Sequence, residues 1–360
     1  MATTLRNINA LAMPTWRRLG VNGAAIELEL PTPEPINAPH PTLPSGIIRT
    51  HESVLRCAEF KSALSGELAA YIRVHANAGA RIRSKRGEIV AEPVTSSYTL
   101  GADSPVVVDS NVIFAEAHSS VTLVLFYDSA DDSAAFHAGM TRVIAENCAD
   151  VHVVEVQTLN TATRHFTDFS AVIANGASVS LTRIELGASE VYAGSHMKLE
   201  GDKAESRAHT FYFGDGARKL DFNYVARHLG QHSVSTQDAA GALFGRCDKI
   251  FRGTIDFVRG ASGSVGAESE NTLLFSKSAR NRSAPLILCG EENVEGSHAA
   301  SVGKPDAAKL YYMQSRGLSE GDAKRMLTLA MMETALKALP DEDMREKVRA
   351  ALAARITDNA

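Results

Sequence analysis

The stretch CGEENVEGSHAASVG, residues 289–303, concentrates the residue types best suited to chemistry. A neutral imidazole at His298 could ligate a metal or move a proton near pH 7. Cys289 stands upstream, and Glu291, Glu292 and Glu295 could add oxygen ligands. A plainer reading competes with that one. A lone histidine beside serine at a strand end is an ordinary hydrogen-bonded residue. Cys289, following Leu286-Ile287-Leu288, reads as a small buried hydrophobe. The small residues Ala299, Ala300 and Ser301 predict close approach of another backbone, which suits an interface as well as a pocket.

Other candidates are weaker. His196, His209, His228 and His232 occur singly, without H-x-H or H-E-x-x-H spacing, and read as solvated or hydrogen-bonded sheet positions. Cys57, Cys148, Cys247 and Cys289 lie far apart with no C-x-x-C pair, which predicts reduced thiols rather than disulfides or a zinc site. No G-x-x-x-x-G-K-[ST] or G-x-G-x-x-G joins a strand to a helix, and no G-x-S-x-G elbow is present. The chain is therefore expected to be non-catalytic and to bind no nucleotide itself.

Strands must position these residues. PTPEPINAPHPTLP, residues 31–44, holds six of the twelve prolines and predicts an extended strap or linker. Between Pro105 and Pro285 there is no proline, as multiply paired sheet requires. Apolar or alternating runs recur there: VVVDSNVIF (106–114), VTLVLFY (121–127), VHVVEVQTL (151–159), SVSLTRIEL (178–186), HTFYF (209–213), KLDFNYVARHL (219–229) and GTIDFV (253–258). Turn residues such as Asn175-Gly176 and Gly201-Asp202 bound them. So many strands in one run leave a β-helix and a large sandwich equally open, while the lack of a blade period counts against a propeller.

The period then changes to helical. Residues 306–317 predict a short helix stopped by Gly317, and Ser319 with Asp322 predicts a cap opening the next helix, which runs to Pro340. In the last helix Met344, Val348, Leu352 and Ile356 share one row. These helices are apolar on more than one side, which predicts either a self-contained hairpin or a docking face for another subunit.

Composition sets outer bounds. The chain has 360 residues, 44% hydrophobic and 22% charged, with a formal net charge of −5. No basic excess favours nucleic acid, no run approaches the ~20 apolar residues of a membrane span, and the N-terminus lacks the apolar core of a signal peptide. The expected location is cytoplasmic.

EGSHAASVGKPDAAKLYYMQSRGLSEGDAKRM, residues 295–326, resembles the C-terminal signature of the SufB/SufD family, scaffold subunits of the Suf iron–sulfur assembly machinery. That signature reads S-H-x-A-[ST]-[VI]-G, then paired aromatics, then S-R-G-[IL]-S. Weaker similarity runs through HSVSTQ (232–237), FRGTIDFVRGA (251–261), NTLLFSKSA (271–279) and PTWRRLGVN (14–22), so the likeness covers most of the chain. It implies a mainly β fold: a right-handed parallel β-helix over residues 69–305, preceded by an N-terminal segment (1–68) and followed by a small helical domain (306–360).

The S-H-x-A form points to the SufD-like branch. Glu270 stands where SufB-like chains carry a sulfur-accepting cysteine. The resemblance implies that His298 faces a SufB-like β-helix partner across an interface where a transient iron–sulfur cluster forms, with Ser297, Ala299 and Ala300 beside it. It also implies that the C-terminal helices, through Met331, Leu336, Val348 and Leu352, bind a SufC-like ABC-type ATPase. It allows a reduced flavin in the complex and a homodimer when the chain is alone. Some relatives carry cysteine two residues before the histidine, and Gly296 removes that thiolate here. Two other expectations stand beside this one. A purely structural adaptor of the same complex would need no ligand. A β-solenoid enzyme acting on carbohydrate or acyl substrates would need calcium-binding aspartate clusters or a strict hexapeptide repeat, neither of which is visible.

Overall fold

In a computed structural model, which describes residues 3–15, 17–36, 41–57 and 59–357, the strands stack into a parallel β-solenoid of about eight turns. Each turn contributes one strand to each of two sheets. The nine-stranded sheet runs from Ile47–Arg49 and Arg81–Ser84 through Val106–Ala115, Phe136–Ala145, Arg164–Ile173, Glu190–Leu199, Lys219–His228 and Asp248–Phe257 to Arg280–Cys289. The eight-stranded sheet runs from Val94–Leu100 through Ser120–Ser129, Asp150–Gln157, Ser178–Glu185, Glu205–Gly214, Val234–Leu243 and Ser264–Leu274 to Val294–Gly303. Ile47–Arg49 joins the nine-stranded sheet antiparallel to Arg81–Ser84. From Arg81 onward strands adjacent in sequence belong to different sheets and pair in parallel with the strand one turn away, which excludes a sandwich.

Turns repeat with the strands. Cys148, Gly176 and Lys203 occupy one corner of successive turns at φ 58°, 61° and 57°. Each N–H donates to the carbonyl of the next turn, Cys148 to Asn175 (2.9 Å), Gly176 to Asp202 (2.9 Å) and Lys203 to Gln231 (2.8 Å). Glycine is the residue that adopts this left-handed corner without strain, and side-chain carbonyls help where it is absent. The Asn175 and Asp202 side chains each accept an N–H of the following turn at 2.8 Å. His232 continues this corner at φ 54°, so it is a turn residue rather than a sheet position.

Both outer faces are covered by the chain's own ends. The hairpin Thr3–Ile8 with Ala24–Leu28, and helix α1 (Gly66–His75), set Leu5, Ile8, Leu68 and Ile72 against Val108, Phe136, Phe166 and Tyr192 of the nine-stranded sheet. The expected boundary after residue 68 falls inside α1. Of the proline-rich strap, residues 37–40 lie outside the described residues. On either side of them Ile36 and Leu43 pack against the interior cluster, and Pro31 accepts a hydrogen bond from Tyr71.

The tail forms α2 (Ala307–Ser315), α3 (Glu320–Leu336) and α4 (Glu342–Thr357). Gly317, at φ 93°, follows the end of α2, and Ser319 Oγ accepts the Asp322 N–H to open α3, as the sequence predicts. Met332, Ala335, Leu336, Val348, Leu352 and Ile356 form one buried cluster with Val124, Phe126, Val156, Phe211 and Phe213 of the eight-stranded sheet. Leu336, Val348 and Leu352 are therefore not a partner surface. They are 1%, 0% and 0% exposed inside this chain, and the partly buried Met331 packs on the same cluster. The reason is geometric: a flat sheet face accepts the apolar sides of two helices at once. No helix among the described residues is long and apolar enough to cross a membrane.

The solenoid interior is not wholly apolar. Arg183 is buried there against Glu155 (2.6 Å) and Lys249 against Glu270. The buried pair Arg252–Asp221 instead lies on the outer face under the N-terminal segment, where Arg252 also donates to the Val21 carbonyl and Asp221 accepts from Asn9. Arg183 and Glu155 are register partners, and Lys249 and Glu270 meet across the two sheets; an isolated buried charge would cost several kcal/mol.

Two outcomes follow. Leu352→Ala should destabilise the isolated chain by about 2–5 kcal/mol in urea unfolding, because the side chain is core; unchanged stability would return Leu352 to a partner face. Lys249→Met should cost about 3–5 kcal/mol near pH 8. Without its ammonium, Glu270 then has a folded pKa above its ordinary 4.5, so its protonated form is favoured and the deficit shrinks as pH falls toward that value. A deficit independent of pH would show that the pair is not what was lost.

Candidate functional site at the open end of the solenoid

Alternation decides what the last turn offers. In Ser264–Leu274 the residues Gly266, Glu268, Glu270 and Thr272 are buried and point inward, while Val265, Ser269 and Asn271 face out. The register Gly266↔Gly296, Glu268↔His298 and Glu270↔Ala300 carries that phase onto Val294–Gly303. Gly296, His298 and Ala300 thus continue the inward row, and Ser297 and Ala299 the outward one. Val294–Gly303 is the terminal strand of its sheet, so nothing among the described residues stacks on it. His298 belongs to the interior by phase but to the surface by position: its side chain is 26% accessible.

Beneath it lies a group of buried charges. His298 Nδ1 is 3.6 Å from Glu268 Oε1, whose side chain is wholly buried. Neither Glu268 oxygen accepts a hydrogen bond among the described residues. Burial, and then the neighbouring Glu270, push Glu268 up to about 7. Gly253 makes room for this carboxyl group, since a Cβ there would overlap it. Glu270 is better satisfied. It pairs with Lys249 and accepts from Thr272 Oγ1 (3.0 Å) and Asn281 Nδ2 (2.9 Å). Burial raises its pKa, but Lys249 outweighs that and holds Glu270 below the usual carboxylate range. The position where the family resemblance sets a cysteine thus carries a buried carboxylate with structural partners.

The sequence's other candidates separate from this site. Cys289 is exposed, contrary to its reading as a buried hydrophobe, because its strand is also the last of its sheet and lacks a covering neighbour. Cys247 is the buried thiol, and burial pushes it up to about 12. The side chain of Cys57 lies outside the described residues. His228 is buried and bonded to Ser233 and Ser235 at 2.8 Å, as a structural histidine should be. His196 faces outward under the N-terminal segment, in a cavity of about 270 Å³ with Lys61, Leu64, Asn223 and Arg227. Among the described residues no group of three or more His, Cys, Asp or Glu is placed to hold a metal ion.

One constellation escaped sequence reasoning. Asp109 Oδ1 meets His137 Nε2 at 2.6 Å, His137 Nδ1 meets His165 Nδ1 at 2.8 Å, and His165 Nε2 lies 3.9 Å from Glu185. Tyr127 donates to Asp109 at 3.2 Å. The order Asp-His-His looks catalytic, yet every member is buried. Burial, then His137 and Arg183, keep His165 well below its ordinary value, so it stays neutral. Its equal spacing (109, 137, 165) marks one residue per solenoid turn, and that was the signal available. Without access it is a polar core, not a site.

Comparison with known proteins places the chain. Residues 98–331 match the family model for the SufBD core domain, described as SUF system FeS cluster assembly. The iron-sulfur cluster assembly protein SufD of Bacillus subtilis is 26% identical over 76% of this chain and 63% of its own length. The SufD protein of Escherichia coli is 22% identical over 67% of this chain and 57% of its own. A SufBD family protein of Mycobacterium leprae, ML0593, is 23% identical over 58% of this chain and 24% of its own. The chain thus spans about three fifths of the length of the two SufD relatives. With the parallel solenoid and the S-H-x-A strand at its end, these matches establish that the chain belongs to the SufB/SufD family and is SufD-like.

Proposed function

We propose that this chain is a scaffold subunit for iron–sulfur cluster assembly that presents His298 to a second, SufB-like β-helix. The observation that carries this reading is the position of His298, reachable on the terminal strand of a rigid stack. The free N–H and C=O groups of Val294–Gly303 can continue the parallel ladder into a neighbour, which would remove an exposed sheet edge. Ser297 and Ala299 are small enough to let that backbone approach. Ala300 beside His298 leaves space in the inward row.

The cluster is cargo, assembled and then released, so few and accessible ligands suit it better than a closed cage. Imidazole from this chain and thiolate from the partner are both apt donors for iron. Gly296 supplies no thiolate, and on this reading His298 is the chain's principal ligand. The SufC-like ATPase is assigned to the outward side of the tail, because the inward side is spent on the sheet. Tyr311, Tyr312 and Met326 are 73%, 59% and 49% exposed there.

In a cell that depends on this chain, His298→Ala should lower maturation of a reporter iron–sulfur enzyme at least about tenfold while the complex still copurifies. Normal maturation by an intact complex would reduce the chain to a structural adaptor. Tyr311→Ser with Tyr312→Ser should weaken copurification of the ATPase by about tenfold. Truncation is the poorer experiment, since α4 also seals the sheet. Unchanged binding would put the ATPase elsewhere.

A further inference from the structure

We infer that Glu268 is the positioning residue for His298: it holds the Nδ1 edge of the ring and turns Nε2 outward as the metal-facing atom. This rests on the reading of His298 as a ligand and adds the group that orients it. An imidazole on an open edge strand has two nitrogens and a ring free to rotate. Unless something fixes the tautomer, only part of the population presents a lone pair to iron. Histidine ligands are commonly fixed by a carboxylate on the far nitrogen.

The observations single out Glu268 for that task. Its carboxyl group is fully buried, yet neither oxygen accepts a hydrogen bond among the described residues. Buried polar groups are normally paired, so an orphaned carboxylate calls for an explanation. His298 Nδ1 lies 3.6 Å from Oε1, just beyond the distance of a donated N–H···O bond. The two residues are register partners on adjacent strands, so the backbone ladder fixes their separation. The neighbouring Glu270 already serves Lys249, Thr272 and Asn281, which leaves Glu268 for the ring. Gly253 completes the arrangement, because any side chain there would push the carboxyl group out of line.

The decisive measurement is the tautomer of His298, read by long-range proton–nitrogen correlation in the 360-residue chain and assigned by the signal that His298→Ala removes. The wild type should show the Nδ1–H form. Glu268→Ala should move the ring toward the Nε2–H form, whereas Glu268→Gln should keep it, since the amide oxygen still accepts. Gly253→Ala leaves both residues in place but displaces the carboxyl group, and should act like Glu268→Ala. It also serves if Glu268→Ala fails to fold. Reporter maturation in a dependent cell should fall about tenfold or more with Glu268→Ala and Gly253→Ala, and recover with Glu268→Gln. An unchanged tautomer in both disruptive variants overturns the assignment. A shifted tautomer with normal maturation overturns it too, and leaves His298 as a ligand if His298→Ala still abolishes maturation. If His298→Ala is itself harmless, the reading of His298 as a ligand is what has failed.

Discussion

Every inward side chain of a parallel solenoid has its register neighbours one turn before and one turn after. That constraint governs this molecule. It allows Arg183 to sit in the interior, because its register partner Glu155 is an acid on the adjoining strand; Lys249 finds its acid, Glu270, across the interior on the facing sheet. It lets Asp109, His137 and His165 bond in sequence without water. It also means that the final turn has neighbours on one side only. Residues continuing the interior pattern there become surface chemistry without any change in the local fold.

The two ends of the stack differ accordingly. At the N-terminal end Ile36, Leu43 and Ile47 pack over the interior, so apolar chain closes it. At the C-terminal end Val294–Gly303 remains mostly exposed, with small residues along it and a buried carboxylate beneath the imidazole. Solenoids usually need atypical terminal turns to stay soluble alone. Here one terminus has such a cover and the other ends on the residues that the proposed function uses.

The termini also account for the outer faces. Each sheet carries an apolar patch outside as well as inside, an arrangement parallel sheets tolerate only when both faces are covered. The N-terminal hairpin with α1 covers one and α3 with α4 the other. The tail is therefore part of the β-domain's packing, and any second role falls to its far side. A helix apolar on two sides suggested a docking face in the sequence because one helix's view does not show how wide a sheet it meets.

Much of this was legible in the sequence. Proline's absence, the β-branched runs and the turn dipeptides specified a long stack of strands, because backbone pairing and pleat alternation are local demands. The caps at Gly317 and Ser319 were local too. The S-H-x-A pattern marks His298 as the candidate, and the register puts it on the terminal strand. Strands such as Arg164–Ile173 and Glu190–Leu199 were not legible. Their inward positions include histidine, threonine and serine; His165 finds its partner His137 one turn away and Thr167 finds Glu155 across the interior. The same blindness hid Glu268, which sequence shows merely as one acid among several. Only the tertiary register brings it, through Gly253's empty Cβ position, beneath the ring of His298. Residue types were fixed by the chain; which of them lie in the interior, which at its rim, and which pair across a turn was decided by stacking, because those neighbours are about thirty residues apart in sequence and adjacent only in the folded ladder.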